Sequence, residues 1–409
     1  MTSQDQKAED LFTRVNQQVV RFMHVESAGG LILVAATITA MLVKNSPLAA
    51  SYVEFLLLEG QVRLGSLDVN KPLFLWVNDF WMAIFFFVVG LELRKEWLFG
   101  HLKDPRQVIL PAIGAIGGVI VPAAIYVAIN RSSPESLNGW AIPTATDIAF
   151  ALAVLSLLSD RIPASLKIFL MTLAIIDDLI AIIIIAIFYT GSLSTLSLAS
   201  GLFVVSLMGI ARALKIQSIT PYLVLGCLLW VCVLKSGVHA TLAGVLTAFI
   251  LPVKSKPDGS DSNLENLIED LHPWVAFLIL PGFAFVNGGI DFSGMNFDHL
   301  LTPLPLGIFF GLTIGKVLGV FTFSGIAIKL GLASLPAGCN WTQLAGVGLL
   351  CGVGFTMCLF IGGLALADAG VGYARTDRLA IILGSGVSAL AGYLVLRWSV
   401  GPARFRSQA

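Results

Sequence analysis

The chain has 409 residues, 56% of them hydrophobic and only 12% charged, and its mean hydropathy is strongly positive, which excludes an ordinary soluble domain. Its 25 basic residues balance 25 acidic ones and fall singly or in pairs rather than in long runs, which leaves no electrostatic footprint for nucleic acid. Uncharged stretches at 107–130, 179–211, 216–234, 271–290 and 330–367 each hold at least one helix of about 20 residues crossing the hydrocarbon core, so the composition is that of a polytopic membrane protein.

In chain order, residues 1–26 are polar and of mixed charge, carry no cleavable signal, and are expected to remain as a cytoplasmic N-terminal segment. Leu11, Phe12, Val15, Val19 and Phe22 recur there near helical spacing, which fits either a short helix on the membrane surface or a frayed tail. Splitting the apolar runs at Pro, Gly and charged clusters predicts twelve spans: 27–46, 73–93, 108–130, 140–158, 164–190, 196–213, 220–234, 237–252, 271–289, 304–328, 343–366 and 378–398. Together they form a single all-α transmembrane domain over 27–399, followed by a cytoplasmic tail at 400–409. Between the first two spans, QVRLGSLDVN sets Val62, Leu64, Leu67 and Val69 around Gly65 and Ser66, which predicts a small β-hairpin near 61–70. A lone hairpin is marginal in water, so it either lies on its own membrane domain or pairs with a second subunit.

Orientation follows from the short loops. Arg94, Lys95, Lys103, Arg106, Arg161, Lys167, Arg212, Lys215, Lys254, Lys256 and Lys329 all fall on one side, which is expected to be cytoplasmic, and both termini then lie there too. The opposite side carries chiefly Arg63, Lys71, Arg131, Lys235, Arg375 and Arg378. The five cysteines, Cys227, Cys232, Cys339, Cys351 and Cys358, lack metal-ligand or redox spacing and read as core thiols.

Most charges belong to loops or span ends, and those left near the middle of apolar spans are Asp147, Asp177, Asp178 and Lys316. An isolated charge at that depth costs several kcal/mol, so such residues face a water-filled cavity or each other and mark ion pathways. A buried ion pair that only fixes helix packing accounts for Lys316 and one acid. It does not account for all four residues, because three acids and one base leave two negative charges over. On an ideal helix Asp177 and Asp178 point about 100° apart and do not share one ligand at close range. Their charges still disfavour joint ionisation, so the two titrate as a unit. A small hard cation competes with a proton for such oxygens, which is the physical core of proton-for-cation exchange.

Asp147 follows Pro143, Thr144 and Thr146 in GWAIPTATDIAFALAVL, where proline interrupts the helical ladder and threonine hydroxyls satisfy or coordinate what is freed. GLLCGVGFTMCLFIGGL carries Gly348, Gly352 and Gly354 before Thr356 and predicts a second interruption; Gly348 and Gly362 read as packing positions. These are spans 4 and 11, the middle members of two triplets, so inverted-topology repeats are expected near 108–190 and 304–398, with the site where the broken helices cross. The half-helix ends carry partial charges that an acid and a base at mid-depth neutralise, and Asp147 and Lys316 are the candidates.

ATDIAFALAVL, LKIFLMTLAIIDDLIAIIIIAIFY, LKSGVHATLAGV, LHPWVAFLILPGFAF, GLTIGKVLG and LCGVGFTM, in this order, resemble the NhaA-type sodium/proton antiporters of bacteria from about residue 26 to 399. The resemblance implies an electrogenic exchanger of the inner membrane that expels sodium or lithium and admits more than one proton per cation. By matching motif, Asp177 and Asp178 would be the cation and proton site, Thr146 and Asp147 would contribute from the broken fourth span, and Lys316 would pair with Asp177 in one state and release it in another. It further implies a homodimer built partly on the hairpin, and activation at alkaline pH through Glu92, Lys95, Glu96, His239, His272 and Gly354. NLIEDLHPW departs from the family pattern at Ile268 and Glu269, where Glu and His are usual, so a shifted pH profile is expected.

No cofactor and no enzymatic activity are expected. An intramembrane aspartyl protease needs acids on facing helices and a GxGD motif, and this chain has adjacent acids and no such motif. A proton-coupled symporter is the closer alternative, against which stands the lack of an aromatic or arginine site for an organic solute.

Overall fold

A computed structural model describes residues 28–64, 67–100, 105–158, 161–253, 263–293, 295, 297–367 and 373–400. The N-terminal segment at 1–26, the hairpin tip Gly65 and Ser66, the basic residues Lys103, Lys254 and Lys256, and positions 401–409 of the expected tail lie outside the described residues.

Helix α1 (Ala28–Lys44) turns by 115° into α2 (Ala49–Leu57), which leads into strands β1 (Glu59–Leu64) and β2 (Leu67–Pro72). The strands are antiparallel, with Val62 opposite Val69 and Leu64 opposite Leu67, the register a two-residue turn imposes. The hairpin is anchored on its own chain, because the Trp76 indole N–H donates to the Gly60 carbonyl at 2.9 Å.

The bundle continues with α3 (Leu73–Leu98), α4 (Pro105–Asn130), the short pair α5 (Pro134–Thr144) and α6 (Ile148–Ser156), α7 (Ala164–Phe188) and α8 (Thr195–Ala213). Then come α9 (Thr220–Leu234), α10 (Leu242–Ile250), α11 (Asn263–Gly288) and α12 (Pro303–Lys329). A second short pair, α13 (Trp341–Leu350) and α14 (Phe355–Ala365), precedes α15 (Tyr373–Val400). Among the described residues seven helices are long and apolar enough to cross a membrane, or ten when each bent pair counts as one span. The two other predicted spans, 220–234 and 237–252, form helices of 15 and 9 residues. The shortfall at the second follows from long-range backbone bonding. Ser236 and Gly237 accept backbone bonds from Ser194 and Gly191, and Gly237 has a φ of +87°, so residues 236–241 are held as a connection and the helix starts only at Leu242.

Helices α4 and α12 pack closest because small residues line both. Gly307, Gly311, Gly315 and Gly319 recur every fourth position on α12, and a Cβ at Gly319 would strike the Gly117 carbonyl of α4. The close approach brings Lys316 of α12 into the interior, immediately after a π-helical turn at Gly311–Gly315. Large apolar side chains such as Leu31, Leu196, Phe203 and Leu390 stay exposed on the outside of the bundle, as expected of a surface that meets lipid.

Candidate ion site

The breaks in the two short pairs cross one another. Residues 145–147 and 351–354 have left the helical ladder, and each supplies partners the other needs. The Asp147 N–H donates to the Val353 carbonyl at 2.6 Å, and the Thr146 hydroxyl donates to the Cys351 carbonyl at 2.8 Å. Glycine is required at 354, where a Cβ would meet the Cys358 sulfur and the Ala145 carbonyl.

Asp147 joins the two half-helices that start at the crossing. Its Oδ1 accepts from the Phe150 N–H of α6 at 3.0 Å, while Oδ2 accepts from the Thr356 N–H of α14 at 3.0 Å and from its hydroxyl at 2.5 Å. One carboxylate, 2% exposed, therefore meets two positive helix ends.

From the opposite wall, Lys316 Nζ donates to Asp177 Oδ2 at 2.8 Å, with both side chains fully buried. Among the described residues its ammonium makes no bond to a half-helix carbonyl. Thr146 also abuts Asp177, which ties the crossing to α7. Asp178, the next residue, is 2% exposed, and its Oδ1 has no hydrogen-bond donor among the described residues. It feels Asp177, Asp147 and Glu92 as like charges and Lys316 as the opposing one. A cavity of about 50 Å³ runs from Asp147, Asp178 and Thr356 past Val88 and Val275 to Glu92 and His272. That is room for a very few waters or one dehydrated ion. Among the described residues no three His, Cys, Asp or Glu side chains converge as a metal cluster would, in keeping with the 100° between the adjacent acids.

The remaining predicted residues divide between two ends of the bundle. Glu92, Lys95 and Glu96 are half-buried on the last turns of α3, and Lys95 reaches Glu265 of α11 at 3.3 Å. His272 is at the same end, on the cavity wall. Ile268 is buried one turn before it, and Glu269 is exposed. His239 lies elsewhere, 4.0 Å from Asp79 of α3. Asp79 and Glu92 are thirteen residues apart on α3, so about 20 Å separates His239 from the Glu92 end.

Sequence reasoning missed three buried charges, Arg94, Lys167 and Asp377, and the half-buried Asp79. Asp79 holds Lys71 at 2.6 Å, Arg94 donates to the Ala248 carbonyl at the end of α10, Lys167 is 5% exposed on α7, and Asp377 is 4% exposed on α15. Asp79 was within reach of the span argument, since LWVNDFWM is apolar around it; Arg94 and Asp377 sit at span ends and give no such signal.

Broken spans that cross beside a desolvated set of acids and one base are the architecture of a secondary ion transporter rather than of an enzyme. The sequence matches the family model described as Na+/H+ antiporter 1 over residues 20–396, and the chain belongs to that family. It is 51% identical over 381 residues to the Na(+)/H(+) antiporter NhaA 1 of Pseudomonas putida, covering 93% of this chain and 96% of the relative. It is 52% identical to the Na(+)/H(+) antiporter NhaA of Campylobacter concisus, covering 93% of each chain. A Shewanella relative of the same name is 50% identical, with 93% of this chain and 98% of the relative covered.

Proposed function

We propose that this chain is an electrogenic antiporter of the bacterial inner membrane that exports sodium or lithium in exchange for more than one proton by alternating access. The observation that carries the reading is the unequal provision for three buried acids. Asp147 is met by two helix N-termini and Asp177 by Lys316, while Asp178 has no basic partner among the described residues and opens on the cavity; Oδ1 of Asp177 and Oδ1 of Asp178 both lack a hydrogen-bond donor there. A carboxylate so placed needs a proton or a small cation, and the two loads compete. The names of the relatives support sodium and protons as the exchanged ions.

Each residue then has a role. Asp178 and Asp177 bind the metal ion, with Thr146 and Asp147 supplying oxygens from the crossing. When sodium enters, Lys316 releases Asp177; when it leaves, protons return to Asp178 and to the Asp177–Lys316 pair, which gives two proton positions for one cation. Asp147 and Lys316 also balance the half-helix ends, the ammonium doing so through the field rather than a bond. Glu92, Lys95, Glu96 and His272 line the cytoplasmic approach and carry the response to alkaline pH, with Gly354 transmitting it at the crossing and His239 acting from the far end. Twelve spans with inverted repeats near 108–190 and 304–398, cytoplasmic termini including the 1–26 segment and the 400–409 tail, and a homodimer joined at the hairpin complete the proposal.

The test uses inside-out membrane vesicles with a preformed pH gradient. Asp178→Asn and Asp177→Asn are each expected to abolish proton release on addition of sodium, and full exchange in both variants would overturn the assignment. Purified protein in liposomes, given sodium, lithium and potassium in turn, then fixes the cation range.

A further inference from the structure

We infer, on the exchange reading above, that Ser385 of α15 is a positioning residue for the cation: it sets the spacing of the site through the backbone of the second break and does not touch the ion.

The oxygens assigned to the cation come from two bodies. Asp177 and Asp178 ride on α7, whereas Thr146 and Asp147 lie in a break that has no helical ladder of its own. That break is held by residues 351–354. The Asp147 N–H donates to the Val353 carbonyl at 2.6 Å, the Thr146 hydroxyl to the Cys351 carbonyl at 2.8 Å, and the Cys358 thiol makes a weaker contact with the Ala145 carbonyl at 3.6 Å. These bonds join the two short pairs to each other rather than to a continuous helix.

Ser385 supplies a tie to a continuous helix. Its side chain is 3% exposed, and its Oγ accepts from the Gly354 N–H at 3.3 Å. Gly354 is buried and immediately precedes α14, so its N–H is one of those freed where the ladder stops, and among the described residues no backbone carbonyl takes it. Three residues further along the same face of α15, Ser388 is fully buried beside Gly352, where a Cβ would meet both the Ser388 hydroxyl and the Leu312 carbonyl. Ser388 also donates to that Leu312 carbonyl, in a long bond of 3.5 Å, within the π-helical turn that precedes Lys316. One stretch of α15 thus backs both the second break and the helix that carries Lys316.

This placement favours the cation over the proton. Without the Ser385 oxygen the Gly354 N–H is a buried donor with no acceptor, and residues 351–354 shift to relieve it. The Cys351 and Val353 carbonyls move with them and draw Thr146 and Asp147 away from Asp177 and Asp178. A dehydrated cation needs several oxygens at once and loses affinity when one set moves by about half an ångström. A proton needs only one carboxylate oxygen and is held as before. Ser385 therefore weights the competition at the carboxylates while carrying no charge itself.

The experiment titrates sodium into purified protein by calorimetry and measures sodium-driven proton movement in liposomes. Ser385→Ala is expected to raise both the Kd and the half-saturating sodium concentration by roughly 10-fold, the lower end of the cost of losing a group that orients metal ligands, without lowering the maximal rate. Ser385→Cys fills nearly the same space with a poor acceptor and is expected to follow Ser385→Ala. An unchanged sodium Kd in Ser385→Ala, whatever its thermal stability, overturns the assignment. So does a Ser385→Cys variant that binds sodium as the parent does, which would make the residue a packing group, or a lowered maximal rate at unchanged half-saturation. A parent protein that neither binds sodium nor exchanges it would instead refute the antiport reading.

Discussion

Replacing Asp147 tests whether one carboxylate holds the crossing together. Three hydrogen bonds converge on it, from the Phe150 N–H, the Thr356 N–H and the Thr356 hydroxyl. Bonds to a charged acceptor contribute about 1.5 kcal/mol each at the low end, so Asp147→Ala is expected to destabilise the fold by about 4.5 kcal/mol. Asp147→Asn retains one acceptor oxygen and sets its amide against the Thr356 N–H, donor to donor, which predicts a loss of about 2 kcal/mol. Thermal unfolding of the purified protein in detergent measures the order parent, Asn, Ala. Amide hydrogen exchange adds the location, because the first turns of α6 and α14 are expected to open before α4 and α12. Thr356→Val supplies the coupling: its cost should be smaller in the Asp147→Ala background than in the parent. An Ala variant that unfolds with the parent, or Thr356→Val costs that simply add, would show that Asp147 does not bridge the half-helices.

Two further substitutions test the packing around the site. Asp177→Asn or Lys316→Met alone leaves one buried charge without its partner at 2.8 Å and is expected to cost about 3–5 kcal/mol, whereas the double variant should recover much of that loss in thermal unfolding. Unfolding of the double variant at the sum of the single losses would mean that the pair is not coupled. Gly319→Ala drives a Cβ into the Gly117 backbone and is expected to cost about 1–3 kcal/mol by overpacking, while Gly363→Ala, with open space around it, should stay near the parent. Equal unfolding midpoints for the two glycine variants would count against close packing of α4 on α12.

The membrane class and the broken spans were legible because each depends on local pattern. Pro143 interrupts a ladder wherever it stands in a span, and Asp147, Asp177, Asp178 and Lys316 stand out against apolar neighbours. The hairpin was legible for the same reason, since alternation around Gly65 and Ser66 is a short-range signal. What depended on tertiary contact was not. The late start of α10 follows from backbone bonds between 236–237 and 191–194, more than forty residues away, and nothing in LKSGVHATLAG announces them. The burial of Arg94 and Asp377 was hidden because both sit at span ends, where a charge is ordinarily solvated. The contact of Lys316 with Asp177 rather than Asp178 depends on how α7 is rotated, and that is set by packing of Leu170, Leu173 and Ala174 into the core.

That rotation explains why two adjacent acids are useful. With 100° between them, Asp177 points at α12 and Asp178 at the cavity, so the acids meet different partners while remaining neighbours. At about 6 Å and an effective dielectric constant near 20, two such charges interact by about 3 kcal/mol. A change in the load on Asp178 is therefore felt at the Asp177–Lys316 pair without any movement of α7. Separating the acids by a full turn would weaken that link, and placing both on the cavity side would leave Lys316 unpaired in the core. Adjacent carboxylates join the cavity to the helix interface, which a carrier needs if occupancy is to govern which half of the pathway is closed.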